Sequence, residues 1–359
     1  MALTDTDIVG GVDTHKDSHT VAALNGTGRL LGTAQFPATP DGYEELLAWL
    51  RGFGQLVRMG IEGTGSYGAG LHTYLRRAGV EIREVIRPKR QVRRRRGKSD
   101  PVDAEAAARA VIAGDDLGTP KRQDGSVEAL RVLRLTRRSA LKARTQTANQ
   151  LHAIIQTAPS PLREQLHSLR LSEVVTRVSR FRCATPTTPI AAARFALRSL
   201  AERWRALDSE LHRLDEQLVQ LVQAVAAPLL AVRGVGVDTA GALLVAAGDN
   251  PERLASEASF AALCGVSPVD ASSGRQHRHR LNRGGNREAN RALWVIAIVR
   301  MASDPSTQAY VQRRTQQGLS KKEILRCLKR YIARQLYRLL LAPVAAPVTP
   351  SSTNRLDSQ

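Results

Sequence analysis

Residues 8–38, IVGGVDTHKDSHTVAALNGTGRLLGTAQFPA, hold three short apolar or alternating runs, IVGGVD, HTVAALN and LLGTAQFPA. Polar or glycine-containing turns split them, which is the pattern of consecutive strands. Downstream the rhythm changes. TPDGYEELLAWLRGFG predicts a helix, with Leu46, Leu47 and Leu50 at helical spacing and Gly52 and Gly54 near its end. LVRMGIE follows as a strand, YGAGLHTYLRRAG as a helix, VEIREVIRP as a strand, and DPVDAEAAARAVIAG as a helix closed by Gly114. The order β-β-β-α-β-α-β-α predicts an α/β domain over residues 1–118, built on a mixed sheet covered by helices.

Beyond it the composition turns helical. Residues 126–157 are rich in Leu, Arg and Ala without Gly or Pro, whereas 158–190, with APSP and TPTTP, suggest an irregular connection. Leu200, Trp204, Leu207, Leu211, Leu214, Leu218, Leu221 and Val225 then alternate by four and three. That spacing predicts a coiled-coil seam, within the chain or between chains, in a helical region spanning 119–227. A mostly helical third region, 228–345, is interrupted by a Gly-, Ser- and Arg-rich loop at 265–288, and the Pro- and Ser-rich end at 346–359 is expected to be disordered.

Charge narrows the partner. Lys+Arg number 53 against 33 Asp+Glu, a net charge of +20 over 359 residues. Such an excess favours a polyanion, nucleic acid first and an anionic membrane second. No apolar run approaches the ~18 residues of a spanning helix, and the N-terminus lacks a basic segment followed by an apolar one. A soluble protein in the cytoplasm, associated with the nucleoid and with no membrane partner, is therefore expected. Aromatics make up only 4%, so phosphate contact outranks base stacking as the binding mode. The block Arg93, Arg94, Arg95, Arg96 with Lys98 is the first candidate for it. Cys183, Cys264 and Cys327 stand far apart without metal-ligand spacing and are expected to be reduced thiols.

Four carboxylates stand out against that background. Asp13 ends the first strand and Glu62 the fourth, where side chains emerge at the carboxyl edge of a sheet. Asp100 and Asp103 flank Pro101 where the last helix begins. Their plain structural role is capping, with Asp100 as N-cap, Pro101 as N1 and Asp103 complementing the helix dipole. Yet phosphodiester cleavage needs such a cluster, because two Mg²⁺ ions ~4 Å apart require hard oxygen ligands. Gly63, Gly65 and Gly68 also satisfy G-x-G-x-x-G, which admits a dinucleotide-binding alternative.

DTHKDSHTVA, EGTGSYG and KSDPVDAEAAARA resemble the DEDD transposases of insertion sequences related to the Piv DNA invertase. The resemblance continues through RGVGVDTAGALLVAAGD and LCGVSPVDASSGRQHRHRLNRGGNREANRALW. It implies a ribonuclease H-like domain of the RuvC resolvase type, with Asp13, Glu62, Asp100 and Asp103 as catalytic metal ligands for Mg²⁺. It further implies a C-terminal serine nucleophile, which falls on Ser273 before Gly274, with Ser272 as the rival. Arg275, Arg278 and Arg280 follow as nucleic-acid contacts. The expected activity is cutting and rejoining of donor and target DNA by a homo-oligomer, dimer or tetramer, guided by a structured noncoding RNA. The alternatives are a junction-resolving nuclease that uses water and no serine, or a non-catalytic nucleic-acid- or dinucleotide-binding protein. RGVGVDTAGALL also resembles a helix-hairpin-helix, with Gly234 and Gly236 in its turn.

Overall fold

The computed structural model describes residues 3–85, 99–114, 117–182, 185–274 and 279–341. The chain divides into two compact units, residues 1–128 with 247–260, and 129–246 with 261–359. No helix among the described residues is long and apolar enough to cross a membrane.

The first unit follows the order expected from the sequence. Strands β1 (Asp7–Thr14), β2 (Ser18–Asn25) and β3 (Leu30–Pro37) lead into α1 (Pro40–Arg51), β4 (Gln55–Glu62), α2 (Ala69–Arg77), β5 (Glu81–Val85) and α3 (Asp100–Ile112). They form a five-stranded sheet in the order β3-β2-β1-β4-β5. β1 pairs antiparallel with β2 and parallel with β4, and β4 is parallel to β5. Alternation of side chains gives the sheet two apolar faces. Ile8, Val12, Val21, Met59 and Ile61 pack with Leu46, Leu50, Leu71 and Leu75 of α1 and α2. Val9, Ala22, Leu24 and Val85 pack with Ala104, Ala107, Ala108 and Val111 of α3.

The second face has almost no room between sheet and helix. A Cβ on Gly11 would stand 2.1 Å from the Ala104 carbonyl oxygen, and one on Gly60 would stand 2.7 Å from that of Ala107. These two glycines are register partners in β1 and β4. Their bare backbone, met by the alanines of α3, lets the helix lie against the sheet. The cap of α3 sits one residue earlier than the sequence suggests: Ser99 is the N-cap, so Asp100 and Pro101 occupy the first helical turn, and the amides of Val102 and Asp103 donate to the Ser99 carbonyl. The backbone of Ser99 is extended, the conformation expected of a cap.

Residues 247–260 return to the first unit from far along the chain. The Asp249 carboxylate accepts from the amides of Val127 (2.8 Å) and Glu128 (3.1 Å), and so caps α4 (Ser126–Thr157). Buried Asn250 accepts from the Arg122 amide and donates to the Pro120 carbonyl.

The second unit is mainly helical. After α4 come α5 (Ser160–Leu166), α6 (Leu171–Val178), α7 (Pro189–Leu230), α8 (Val237–Ala247) and α9 (Glu257–Leu263). The short pair β6 (Val269–Asp270) and β7 (His279–Arg280) precedes α10 (Arg287–Ser303), α11 (Pro305–Gln316) and α12 (Lys321–Leu340). The expected irregular connection at 158–190 is instead partly helical. Leu162, Leu166, Val174, Val175 and Val178 bury an apolar face against Leu151, Ile155, Leu197 and Ala201, and Pro161 falls in the first turn of α5, where a proline is compatible with a helix. Within the predicted seam, Leu211 and Leu218 are buried. Arg137 of α4 pairs with Asp215 of α7, and Arg144 with Asp208. The pairs run in opposite directions along the two helices, so α4 and α7 are antiparallel at these levels, within one chain. Cys264 is buried and free, and burial pushes its thiol up to about 12. Cys183 and the tail from 342 lie outside the described residues.

Candidate metal and active site

The register of the sheet makes the site. One residue beyond the paired Val12 and Ile61 come Asp13 on β1 and Glu62 on β4. Both follow a glycine by two positions, Gly11 and Gly60, and therefore share the face against which α3 lies. α3 brings Asp100 and Asp103 at i and i+3, on one side of the helix. Four carboxylates from three elements are thus gathered at one edge of the sheet, although the group whose ligand atoms all lie within 4.8 Å of one another holds Asp13 and Asp100 with His15, and not Glu62 or Asp103. Asp13 feels the negative charge of each of the other three, and Asp103 is itself buried.

His15 belongs to the cluster as well. Its Nε2 lies 3.4 Å from Asp13 Oδ2 and 3.4 Å from Asp100 Oδ1, yet it is a buried atom without hydrogen-bond alignment to either. Asp13, His15 and Asp100 each offer one ligand atom, all within 4.8 Å of one another. Burial is the main cause that raises the Asp13 pKa above the ordinary 3.8. The positive charge of a protonated His15 opposes the rise, and repulsion from Asp103, Asp100 and Glu62 adds to it. Hard oxygen donors packed this closely, with one imidazole nitrogen among them, suit a divalent cation.

The backbone around the acids is tied down. Thr14 Oγ1 donates to the Glu62 carbonyl (2.9 Å), joining β1 to β4 just where the acids project. Gly63 takes φ +72°, and the amides of Ser66 and Gly68 donate to its carbonyl. Those amides are spent inside the loop and do not point outward to a pyrophosphate. The glycines thus serve a tight turn between Glu62 and α2.

Ser273 belongs to the second unit, exposed between β6 and β7 and followed by Gly274 at φ +56°. β6 and β7 pair through Val269 with Arg280 and Asp270 with His279, and His279 Nδ1 stands 2.9 Å from Asp270 Oδ1. Ser272 and Arg280 are also exposed. Arg93, Arg94, Arg95, Arg96, Lys98, Arg275 and Arg278 lie outside the described residues. His15 is the residue that the reading of the sequence passed over. Its signal was present, because it stands two positions after Asp13 and so on the same side of an extended chain.

Comparison with known proteins gives a likeness at both ends of the chain. Residues 10–159 match the model of the DEDD transposase of IS110, described as a transposase. Residues 226–312 match the model described as transposase of the IS116/IS110/IS902 family. An uncharacterized 43.6 kDa protein of insertion element IS110 from Streptomyces coelicolor is 32% identical over 145 residues, which are 40% of this chain and 36% of that protein. The mini-circle protein of IS117 from the same organism, whose name assigns it a transposase role provisionally, is 24% identical over 366 residues, 86% of this chain and 87% of its own. An uncharacterized 42 kDa protein of IS900 from Mycobacterium paratuberculosis is 28% identical over 144 residues, and that match spans 36% of its length. At both ends, then, the chain is similar to transposases of insertion elements of the IS110/IS116/IS902 group. It spans about a third of the length of two of the curated relatives that it matches, 36% in each case.

Proposed function

We propose that this protein cuts and rejoins DNA strands of an insertion sequence. The observation that carries the reading is the gathering of Asp13, Glu62, Asp100 and Asp103 at one sheet edge, in a chain similar to insertion-element transposases. The strand order β3-β2-β1-β4-β5, with three antiparallel strands followed by parallel ones, supports a ribonuclease H-like, RuvC-like assignment for residues 1–118. In this reading the helical middle spans 119–227, the serine domain 228–345, and the tail 346–359.

The four carboxylates would hold two Mg²⁺ ions, with His15 Nε2 beside them. Bound there, the cations supply Lewis acidity to the attacking and leaving oxygens of a phosphodiester. Asp13 and Glu62 are fixed by the sheet and Asp100 and Asp103 by α3, so the chain provides a preformed anionic cradle. The Arg93–Arg96 block, just before Asp100 in sequence, would bring the DNA backbone to it.

Ser273 is proposed as the nucleophile. Its hydroxyl oxygen would attack the phosphorus, its proton would leave to solvent or a nearby base, and the 3′ or 5′ oxygen of the broken bond would depart. The phosphoserine ester conserves the energy of the original bond, which a later strand end recovers by the reverse attack. A structured noncoding RNA as guide, and assembly as a dimer or tetramer, complete the proposal. The net charge of +20 is compatible with the first without preferring RNA to DNA, and the exposed apolar Val132, Leu135 and Phe195 of α4 and α7 favour the second.

The test is strand cleavage and joining by purified protein on DNA carrying the element's ends, with nucleic acid that copurifies with the protein retained and sequenced. Wild type should give Mg²⁺-dependent products and Asp103→Asn none. Normal products from Asp103→Asn would sink the assignment. A Mg²⁺-dependent nick without rejoining or protein adduct would favour the water-using nuclease instead.

A further inference from the structure

LNRGGNREANRALW, residues 281–294, carries the family resemblance but has no part in the chemistry above. It builds a pocket of about 540 Å³ in the second unit, a size suited to a small organic ligand. Its charge is unusual. Arg283, Arg287, Arg291 and Lys329 line it, and no carboxylate among the described residues does. Arg283, Arg287 and Arg291 are exposed and have no ion-pair partner among the described residues.

The pocket also presents an aromatic ring. Trp294 is 46% exposed, whereas Trp49 and Trp204 are half-buried against Phe53 and Arg144. Arg287, Arg291 and Trp294 stand at i, i+4 and i+7, on one face of α10. Trp294 thus offers an aromatic face on which a flat group can stack, within reach of guanidinium groups that can meet phosphate.

The floor is rigid. A Cβ on Gly285 would lie 2.2 Å from the Gly265 amide nitrogen, so the loop backbone sits directly on that residue. Asn282 accepts from the Gly284 amide (2.9 Å) and donates to the Ala262 carbonyl (3.2 Å). Asn290 donates to the Cys264 carbonyl (2.8 Å) and accepts from Lys329 Nζ (3.0 Å). These bonds hold the pocket open and fix its ammonium group, while the arginines around it stay free to engage a ligand.

We propose that this pocket binds an unpaired nucleotide of a nucleic-acid strand, with the base stacked on Trp294 and the phosphates held by Arg283, Arg287 and Arg291. Any base can stack on the indole, and the arginines supply the countercharge, so recognition is of an unstacked nucleotide and not of a sequence. A duplex keeps its bases stacked inside and cannot enter. The proposal rests on the nucleic-acid reading above and adds to it a site for single-stranded intermediates.

The experiment titrates full-length protein with short fluorescein-labelled oligothymidylate, oligouridylate and a duplex of equal length, following anisotropy and tryptophan emission. Single strands should bind and quench the emission, and Trp294→Leu should weaken them by about tenfold or more with duplex affinity unchanged. Trp294→Phe should retain most of the binding. Arg283→Gln with Arg291→Gln should flatten the dependence of log affinity on log salt by about 0.7 per lost contact. The tighter of the two single-strand arms identifies the source of the nucleotide as DNA or RNA. Unchanged single-strand affinity in Trp294→Leu, or equal losses for duplex and single strand, with circular dichroism like that of wild type, would overturn the proposal. Asp103→Asn, run in parallel, should lose cleavage and keep oligothymidylate binding, so that failure of the pocket and failure of the metal site are separable.

Discussion

Gly11 of β1 lies opposite Gly60 of β4 in the parallel register, and the space where their side chains would stand is filled by the backbone of α3. The acids two positions further on, Asp13 and Glu62, reach the Asp100 and Asp103 carboxylates because of that contact. Gly11→Ala pushes a methyl group against a main-chain oxygen that no rotamer change can move. A loss of ~1–3 kcal/mol is expected, seen as a melting temperature several degrees lower, together with reduced cleavage. Gly118→Ala, where a Cβ meets nothing within 4 Å, is the control and should melt like wild type. Equal melting of Gly11→Ala and wild type would show that the helix does not depend on this bare patch.

Burial of Asp13, helped by repulsion from the neighbouring acids, gives a prediction in pH. The folded pKa of Asp13 lies above the unfolded 3.8, so the folded chain binds its proton more tightly than the unfolded chain does. Its contribution to stability is favourable at low pH and is lost as pH rises through the folded value. At neutral pH without metal, Asp13→Asn should therefore melt higher than wild type, and the difference should shrink toward the ordinary Asp range. Added Mg²⁺ or Mn²⁺ should raise the melting temperature of wild type and do less for the variant. Scanning calorimetry decides it, and an identical metal-induced shift in both proteins would contradict a cation at Asp13.

Ser273→Ala should bind nucleic acid and Mg²⁺ as wild type does but form no protein-DNA adduct with a suicide substrate on denaturing gels. Ser272→Ala should keep the adduct. If the adduct instead survives loss of Ser273 and vanishes with Ser272, the register is wrong by one. Absence of any adduct from wild type that recombines would end the serine mechanism.

Replacing Arg93, Arg94, Arg95 and Arg96 by Ala should flatten the salt dependence of duplex binding by up to ~0.9 per lost contact. The loss should be the same for unrelated sequences, because a contiguous block offers charge without a base-reading geometry. An unchanged slope would make the block an ordinary solvated run.

Much of the first unit could be read in advance because its signals are local. Alternating runs make strands, and acids at the ends of β1 and β4 must emerge at a sheet edge. The helix cap was misread by one residue, since Ser99 and Asp100 are equally good caps and only the backbone distinguishes them. His15 was hidden inside DTHKD, where turn chemistry explains every residue without a site. The helices at 160–166 and 171–178 were obscured by prolines, and their burial depends on Leu151 and Leu197, which are far away in sequence. The return of Asp249 to cap α4 is a contact across 122 positions, with no periodicity to announce it. The heptad spacing on α7 names no partner; the pairing of Arg137 with Asp215 and of Arg144 with Asp208 is seen only in the structure, where Leu211 and Leu218 of that spacing are buried.

Two of the four acids are carried by the sheet and two by a helix laid on it, so the ligand set is shared between two elements whose packing brings it together. By reciprocity, any cation that prefers the assembled set must hold α3 to the sheet by as much as the docked helix improves the cation's affinity. Docking of α3 and metal occupancy then become one equilibrium viewed from two ends.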